Sequence, residues 1–154
     1  MIRYVFTVLC TLIVAGAAYA QTPVEDVISK YSTVKGSRDF IASGPGMTLA
    51  RSLIRKTPLA CIAPEVEVLE VLKMQNASEA DIKHFEEDLL AALKSYEYYG
   101  KADAPKGIVD IYIDRSSDGI VGELVIYNPV IYSVNSLRGE LSAEKLIQVY
   151  HDGL

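Results

Sequence analysis

The sequence predicts an α+β domain of two layers: a mainly antiparallel, twisted sheet with helices packed on one face. Three observations carry that prediction. Ile82, Phe85, Leu89, Leu93 and Tyr96 recur at helical spacing, and such an apolar stripe needs a surface to lie on. Residues 108–137 switch to period two, the mark of half-buried strands. The period-two runs are separated by Ser117-Asp118-Gly119 and Asn128-Pro129, short turn signals that join antiparallel neighbours.

The elements follow in chain order. Residues 1–20 carry the three parts of a cleavable secretory signal: a charged start at Arg3, an apolar run over 4–14, and an Ala18-Tyr19-Ala20 exit of the kind signal peptidase cuts. A retained membrane anchor is the weaker reading, since a spanning helix needs about 20 apolar residues. Cys10 lies inside the apolar run after Leu9, which excludes a lipoprotein signal. Cleavage leaves residues 21–154 as a single domain that begins at Gln21.

Thr22-Pro23-Val24-Glu25 reads as a helix start, with a capping box closed by Glu25 and proline at the first helical position. Val24, Val27, Ile28 and Tyr31 recur at helical spacing, and Gly36 ends the run. A short strand over 38–43 puts Phe40 and Ala42 on one face. Gly44-Pro45-Gly46 breaks it, and Met47, Ala50, Leu53 and Ile54 line one side of a second helix that stops by Thr57-Pro58. Residues 66–74 read as a strand from their β-branched content, although Glu67 and Glu70 interrupt the alternation. Ser78 caps the long amphipathic helix, with Asp81 at its third position. Residues 96–101 add an edge strand. Three antiparallel strands follow, and Gly122 marks a bulge in the second. A last helix starts at Ser142, where Leu141 and Leu146 form a hydrophobic staple.

The 154-residue chain has a formal net charge of −5. Cleavage removes Arg3 and no other charged residue, so the exported domain carries −6. An acidic domain without a basic stripe excludes nucleic acid as partner and electrostatic docking on an anionic membrane. Cys61 is then the single cysteine, so no internal disulfide forms. It sits in the apolar run Leu59-Ala60-Cys61-Ile62-Ala63 and reads as a small buried hydrophobe; no neighbouring base is present to make it a reactive thiol.

The early helix to Lys30-Tyr31, the run Phe40-Ile41-Ala42-Ser43-Gly44-Pro45-Gly46-Met47, and the late run Val109-Asp110-Ile111-Tyr112-Ile113 … Asp118-Gly119-Ile120-Val121-Gly122-Glu123-Leu124-Val125 resemble the domain-of-unknown-function family numbered 4252, a group of small exported bacterial proteins. Gly139-Glu140-Leu141 and the last helix fit that layout, while the turn at Asn128-Pro129-Val130 is tighter than the family's. The resemblance implies an envelope location, periplasmic or extracellular, in a Gram-negative bacterium. It implies no established activity and brings no catalytic residues.

Motif by motif, the sequence offers no constellation for chemistry. Asp114-Arg115-Ser116-Ser117-Asp118-Gly119 imitates the start of a calcium loop, but its twelfth position is Val125 instead of a bidentate Glu, and Asp118-Gly119 is a common hairpin turn. His84 and His151 have no partner ligands at zinc spacing. Asp110 and Asp114 lie about 13 Å apart at the rise of a strand, too far to flank one glycosidic bond. No nucleophile elbow, phosphate loop or dinucleotide fingerprint is present. Gly44-Pro45-Gly46 reads as a turn into a helix and not as an anion seat. No cofactor and no metal are expected.

The tyrosines point elsewhere. Tyr112, Tyr127 and Tyr132 fall on neighbouring predicted strands, and Tyr112 shares its face with Asp110 and Asp114. The pattern leaves two readings open: an exposed aromatic patch suited to an interface, or cross-strand pairs that stabilise the sheet. The sequence expectation is a non-enzymatic envelope module that binds a macromolecular partner, an envelope protein or a second copy of the chain, through an open sheet face. The alternatives are a small-ligand carrier with a pocket between helices and sheet, and an enzyme of unrecognised type whose residues meet only on folding.

Overall fold

The computed structural model describes residues 21–152; the export signal expected over residues 1–20 lies outside them. Helix α1 (Pro23–Tyr31) begins at Thr22, whose hydroxyl accepts from the Glu25 amide at 3.1 Å while the Thr22 amide donates to the Glu25 carboxylate at 3.3 Å. Strand β1 (Arg38–Ser43) leads through a 3-10 turn (Gly44–Gly46) into α2 (Met47–Ile54). A 3-10 segment (Pro58–Glu65), capped by Thr57, precedes β2 (Val66–Lys73). Helix α3 (Glu79–Leu93) starts at the Ser78 cap. Then come β3 (Glu97–Ala104), β4 (Gly107–Ser117), β5 (Ile120–Asn128), β6 (Ser133–Ser142) and α4 (Ala143–Asp152).

The six strands form one sheet in the order β1-β2-β6-β5-β4-β3, every neighbouring pair antiparallel. This is the α+β class with an antiparallel sheet. The layering, however, differs from the expected two layers with helices on one face. Helices cover both faces. On one side α2, the Pro58–Glu65 segment and α4 bury Ala42, Val66, Leu69, Ile111, Ile113, Leu124, Ile126 and Leu137. On the other, α1 and α3 bury Leu72, Val125, Tyr127 and Val134. The reason is legible in β5. Leu124, Val125, Ile126 and Tyr127 are consecutive and all buried, and an unbroken apolar run is what a strand covered on both faces requires.

Local chemistry fixes the joints. The β4–β5 hairpin turns at Asp118-Gly119, with Gly119 at φ +74, a conformation that glycine adopts without a Cβ penalty. Between β5 and β6, Asn128 Oδ1 accepts from the amides of Val130 (2.9 Å) and Ile131 (3.4 Å), a side-chain turn of the Asx type. The staple and cap expected at the last helix are present: Leu141 and Leu146 are buried, and the Lys145 amide donates to the Ser142 hydroxyl at 3.4 Å.

One local expectation fails. Cys61 is exposed, not buried. The Pro58–Glu65 segment turns Ile62 and Ala63 into the core, and its tight winding leaves the preceding residue on the outer side.

Candidate functional site

Of the five residues singled out in the sequence, Asp110, Tyr112, Asp114 and Tyr127 share one sheet face, the α1/α3 side, while Tyr132 falls in the turn after β5, and burial divides them further. Tyr127 is 3% exposed. Its ring stands edge-on to Phe85 at 6.5 Å, and its hydroxyl donates to Glu86 of α3 at 2.8 Å; burial and that carboxylate push its pKa up. Tyr127 is a core residue beneath α3 and cannot meet a partner. Tyr132 lies in the β5–β6 turn at φ +51, packs against the α1/α3 core, and presents its carbonyl to the Met74 amide at 2.9 Å. Its role there is structural. The aromatic patch of three tyrosines does not form, because α3 crosses the sheet over β5.

What remains open is the outer part of the same face. Tyr112 of β4 is half-buried and pairs across the strands with Tyr98 of β3, ring centroids 5.2 Å apart at 59°. Tyr98 is 51% exposed and donates to Asp110 at 3.2 Å. Lys101 holds the same Asp110 oxygen at 2.8 Å. Burial, with Asp110 next, raises the Tyr112 pKa, so its hydroxyl stays protonated as a donor at neutral pH. Asp114 is exposed further along β4 and lies opposite Glu123 of β5. It lines an open cleft of about 330 Å³, together with Thr22, Ser116, Arg138 and Glu140. The strip thus runs from a tyrosine pair to an acid-lined cleft on one continuous surface.

A second cluster lies beneath the N-terminus of α1, and the sequence reading missed it. Glu123, 2% exposed, accepts from Tyr96 (2.5 Å), Ser136 (2.6 Å) and Thr22 (3.2 Å). Arg138 meets Glu25 at 2.6 Å and Glu70 at 3.5 Å. Two carboxylates therefore meet one guanidinium, and Glu123 stands opposite Arg138 in the β5–β6 register. Burial pushes the Glu70 pKa up, against the attraction of Arg138, while Glu25 and Glu123 push the same way as burial. Burial followed by the Glu123 hydrogen bond raises the Tyr96 pKa. A signal existed at Glu123, the single charged residue of an otherwise largely apolar β5, since a charge at such a place is buried only with a partner. The network fastens α1 to the sheet through Glu25 and Thr22.

The third feature is an apolar slot between α4 and the β4–β5 floor on the opposite face, with Tyr99 and Arg115 in its lining. Elsewhere, His84 and His151 are exposed. Among the described residues no group of three or more His, Cys, Asp or Glu side chains is placed to hold a metal ion, and no helix is long and apolar enough to cross a membrane. The chain matches no family model, no curated protein and no solved structure. The resemblance drawn from the sequence thus adds no residue roles to this geometry.

Proposed function

We propose that this chain is an exported, non-enzymatic module of a Gram-negative envelope that binds a protein partner through the outer face of β3 and β4. The observation that carries the reading is the uncovered strip: Tyr98, Tyr112 and Asp114 stay accessible beside the part of this face that α1 and α3 bury. Tyrosine supplies contact area with a polar tip at low entropy cost, which suits it to interfaces. The acid-lined cleft beside it favours a partner that presents Lys or Arg. The export signal of residues 1–20 and the net negative charge support the location and the sign of the partner.

The test is crosslinking in intact cells, then affinity capture of the tagged protein and mass spectrometry, for the wild type and for a Tyr98→Ser/Tyr112→Ser double variant. Tyr98 replaces Tyr127 in this design because Tyr127 is buried. A partner captured by the wild type and lost by a variant with unchanged circular dichroism supports the proposal. Equal capture by both proteins refutes it. Recovery of the chain alone would redirect attention to β1 and β3, the two edge strands of the sheet, where strand pairing between copies is available.

A further inference from the structure

The sheet ends in two unlike edges, β3 and β1. β3 is the better guarded. A bulge between Tyr98 and Gly100 breaks its pairing with β4, and Glu97, Lys101 and Asp103 spread charge along it. Bulges and charges of this kind keep an edge from adding another chain's strand. β1 has no such break: its register with β2 runs unshifted from Arg38↔Lys73 to Ser43↔Val68. Its two charges, Arg38 and Asp39, sit together at its start. The outer amides and carbonyls of β1 therefore form a regular open row, and the groups of such a row are completed by a further strand.

The side chains beside that row are apolar. Only Ala42 of β1 is buried. Phe40 lies on the α2 face with Ala42, and Ile41 on the opposite face, across from Glu70 of β2. Helix α2 extends the patch on the Phe40 side. From one flank of α2, Arg51 reaches in to the Val66 carbonyl of β2 at 3.1 Å. Leu49 and Leu53, one turn apart, fall on the other flank, over the outer side of β1. Phe40, Ile41, Leu49 and Leu53 are each between 40% and 64% exposed. Their open surface amounts to about two whole large side chains, on the order of 400 Å². That is about half of what a standard dimer buries per partner. With the backbone row added, the area suits a weak dimer, with a dissociation constant on the order of micromolar.

The occupant of this edge has to bring a strand with apolar side chains on both faces, and β1 is itself such a strand. A two-fold axis normal to the sheet sets β1 antiparallel to its copy and matches face with face, so one residue stands opposite itself. Centring on Arg38 or Asp39 would oppose like charges. Centring on Phe40 would set Asp39 against Ile41. Centring on Ile41 avoids both: Ile41 meets its copy, Phe40 meets Ala42, and Asp39 meets Ser43. The two Phe40 rings then become diagonal neighbours within reach of each other, on the side where the Leu49 and Leu53 flanks of the two α2 helices approach. We propose that this chain forms a two-fold homodimer through antiparallel pairing of β1 with β1 of a second copy, centred on Ile41, which joins the two sheets into one. The β3–β4 strip lies at the far end of the sheet and stays free in this dimer, so the inference stands independently of the partner proposed above.

Sedimentation equilibrium of the purified protein from about 1 to 500 µM reads the dissociation constant. The wild type is expected to pass from monomer to dimer within that range. Ile41→Lys sets two cations against each other on the axis and should raise the constant about tenfold or more, with unchanged circular dichroism because the residue is exposed. A second measurement reads the register. In a Cys61→Ser background, which removes the exposed thiol, Ile41→Cys places two thiols directly opposite each other. Their Cα atoms would be about 4.5–5.5 Å apart, a separation that a disulfide spans. Mild oxidation should give a covalent dimer about tenfold or more faster than for Ile108→Cys, whose residue is equally exposed, at 53%, but lies on β4. A wild type that stays monomeric at the highest concentration overturns the proposal, as does a dimer that Ile41→Lys leaves unchanged. Equal oxidation rates for the two cysteine variants overturn the pairing centred on Ile41. If Ile41→Lys fails to fold, the comparison of the two cysteine variants decides the matter.

Discussion

Glu70→Gln is predicted to stabilise this protein at neutral pH, and the gain should vanish in acid. Glu70 is 4% exposed, and its Oε2 has no hydrogen-bond partner. Its one cation, Arg138, stands 3.5 Å away and gives its shorter contact, 2.6 Å, to Glu25. A buried polar atom left unsatisfied costs about 1–3 kcal/mol. Removing one member of a buried pair is ordinarily harmful because it strands the other charge; here Arg138 keeps Glu25. With the lost attraction to Arg138 set against the relieved desolvation, the net gain at pH 7 is about 1 kcal/mol, or about 3–5 °C in melting midpoint for a domain of this size. The sign with pH follows from the raised pKa of Glu70 in the folded state. Its contribution is fully present below the unfolded carboxylate value of about 4.3 and is lost as pH rises through the higher folded value. Wild type and variant should therefore be alike near pH 4 and diverge towards pH 7. Urea unfolding at fixed ionic strength across that range measures the difference directly, and the comparison cancels the other carboxylates. A variant less stable than wild type at pH 7, or a difference that does not change with pH, would show that the Arg138–Glu70 attraction outweighs burial and would refute the reasoning.

Three further outcomes follow from the same geometry. Tyr96→Phe removes the 2.5 Å donor to buried Glu123 and should cost about 2 kcal/mol in chemical denaturation, the range of a hydrogen bond to a charged group. Tyr127→Ser should cost about 3–5 kcal/mol, as large aromatic deletions in a core do, whereas Tyr112→Ser should cost about 1 kcal/mol, the worth of a surface ring pair; paired thermal melts separate the two sites, and equal losses would contradict the burial difference. Cys61 should react with a thiol reagent in the folded chain at a rate unchanged by mild denaturant, since the side chain is already at the surface; protection until unfolding would place it in the core.

Sequence legibility tracked how local each determinant is. The Thr22–Glu25 box, the Ser78 cap, the Asp118-Gly119 turn and the stripe through Phe85 and Leu89 all emerged where their residues predicted, because caps, turns and helical periodicity act within a few positions. The shared face of Asp110, Tyr112 and Asp114 was equally legible, since strand alternation has period two. Cys61 was misread because an apolar run does not state which of its members turn inward when the winding is 3-10 instead of α.

By itself the sequence determined the element order, the α+β class, the antiparallel meander and the candidate face. Tertiary structure alone decided which side of the sheet each helix covers, and with it that Tyr127 is buried, that Tyr98 takes its place beside Tyr112, and that Glu25, Glu70 and Arg138 meet. The physical reason is distance along the chain. Glu25 and Arg138 are 113 residues apart, and no local preference encodes their contact. It arises when an apolar helix stripe chooses one of two apolar sheet faces, a choice made by the packing of the whole core.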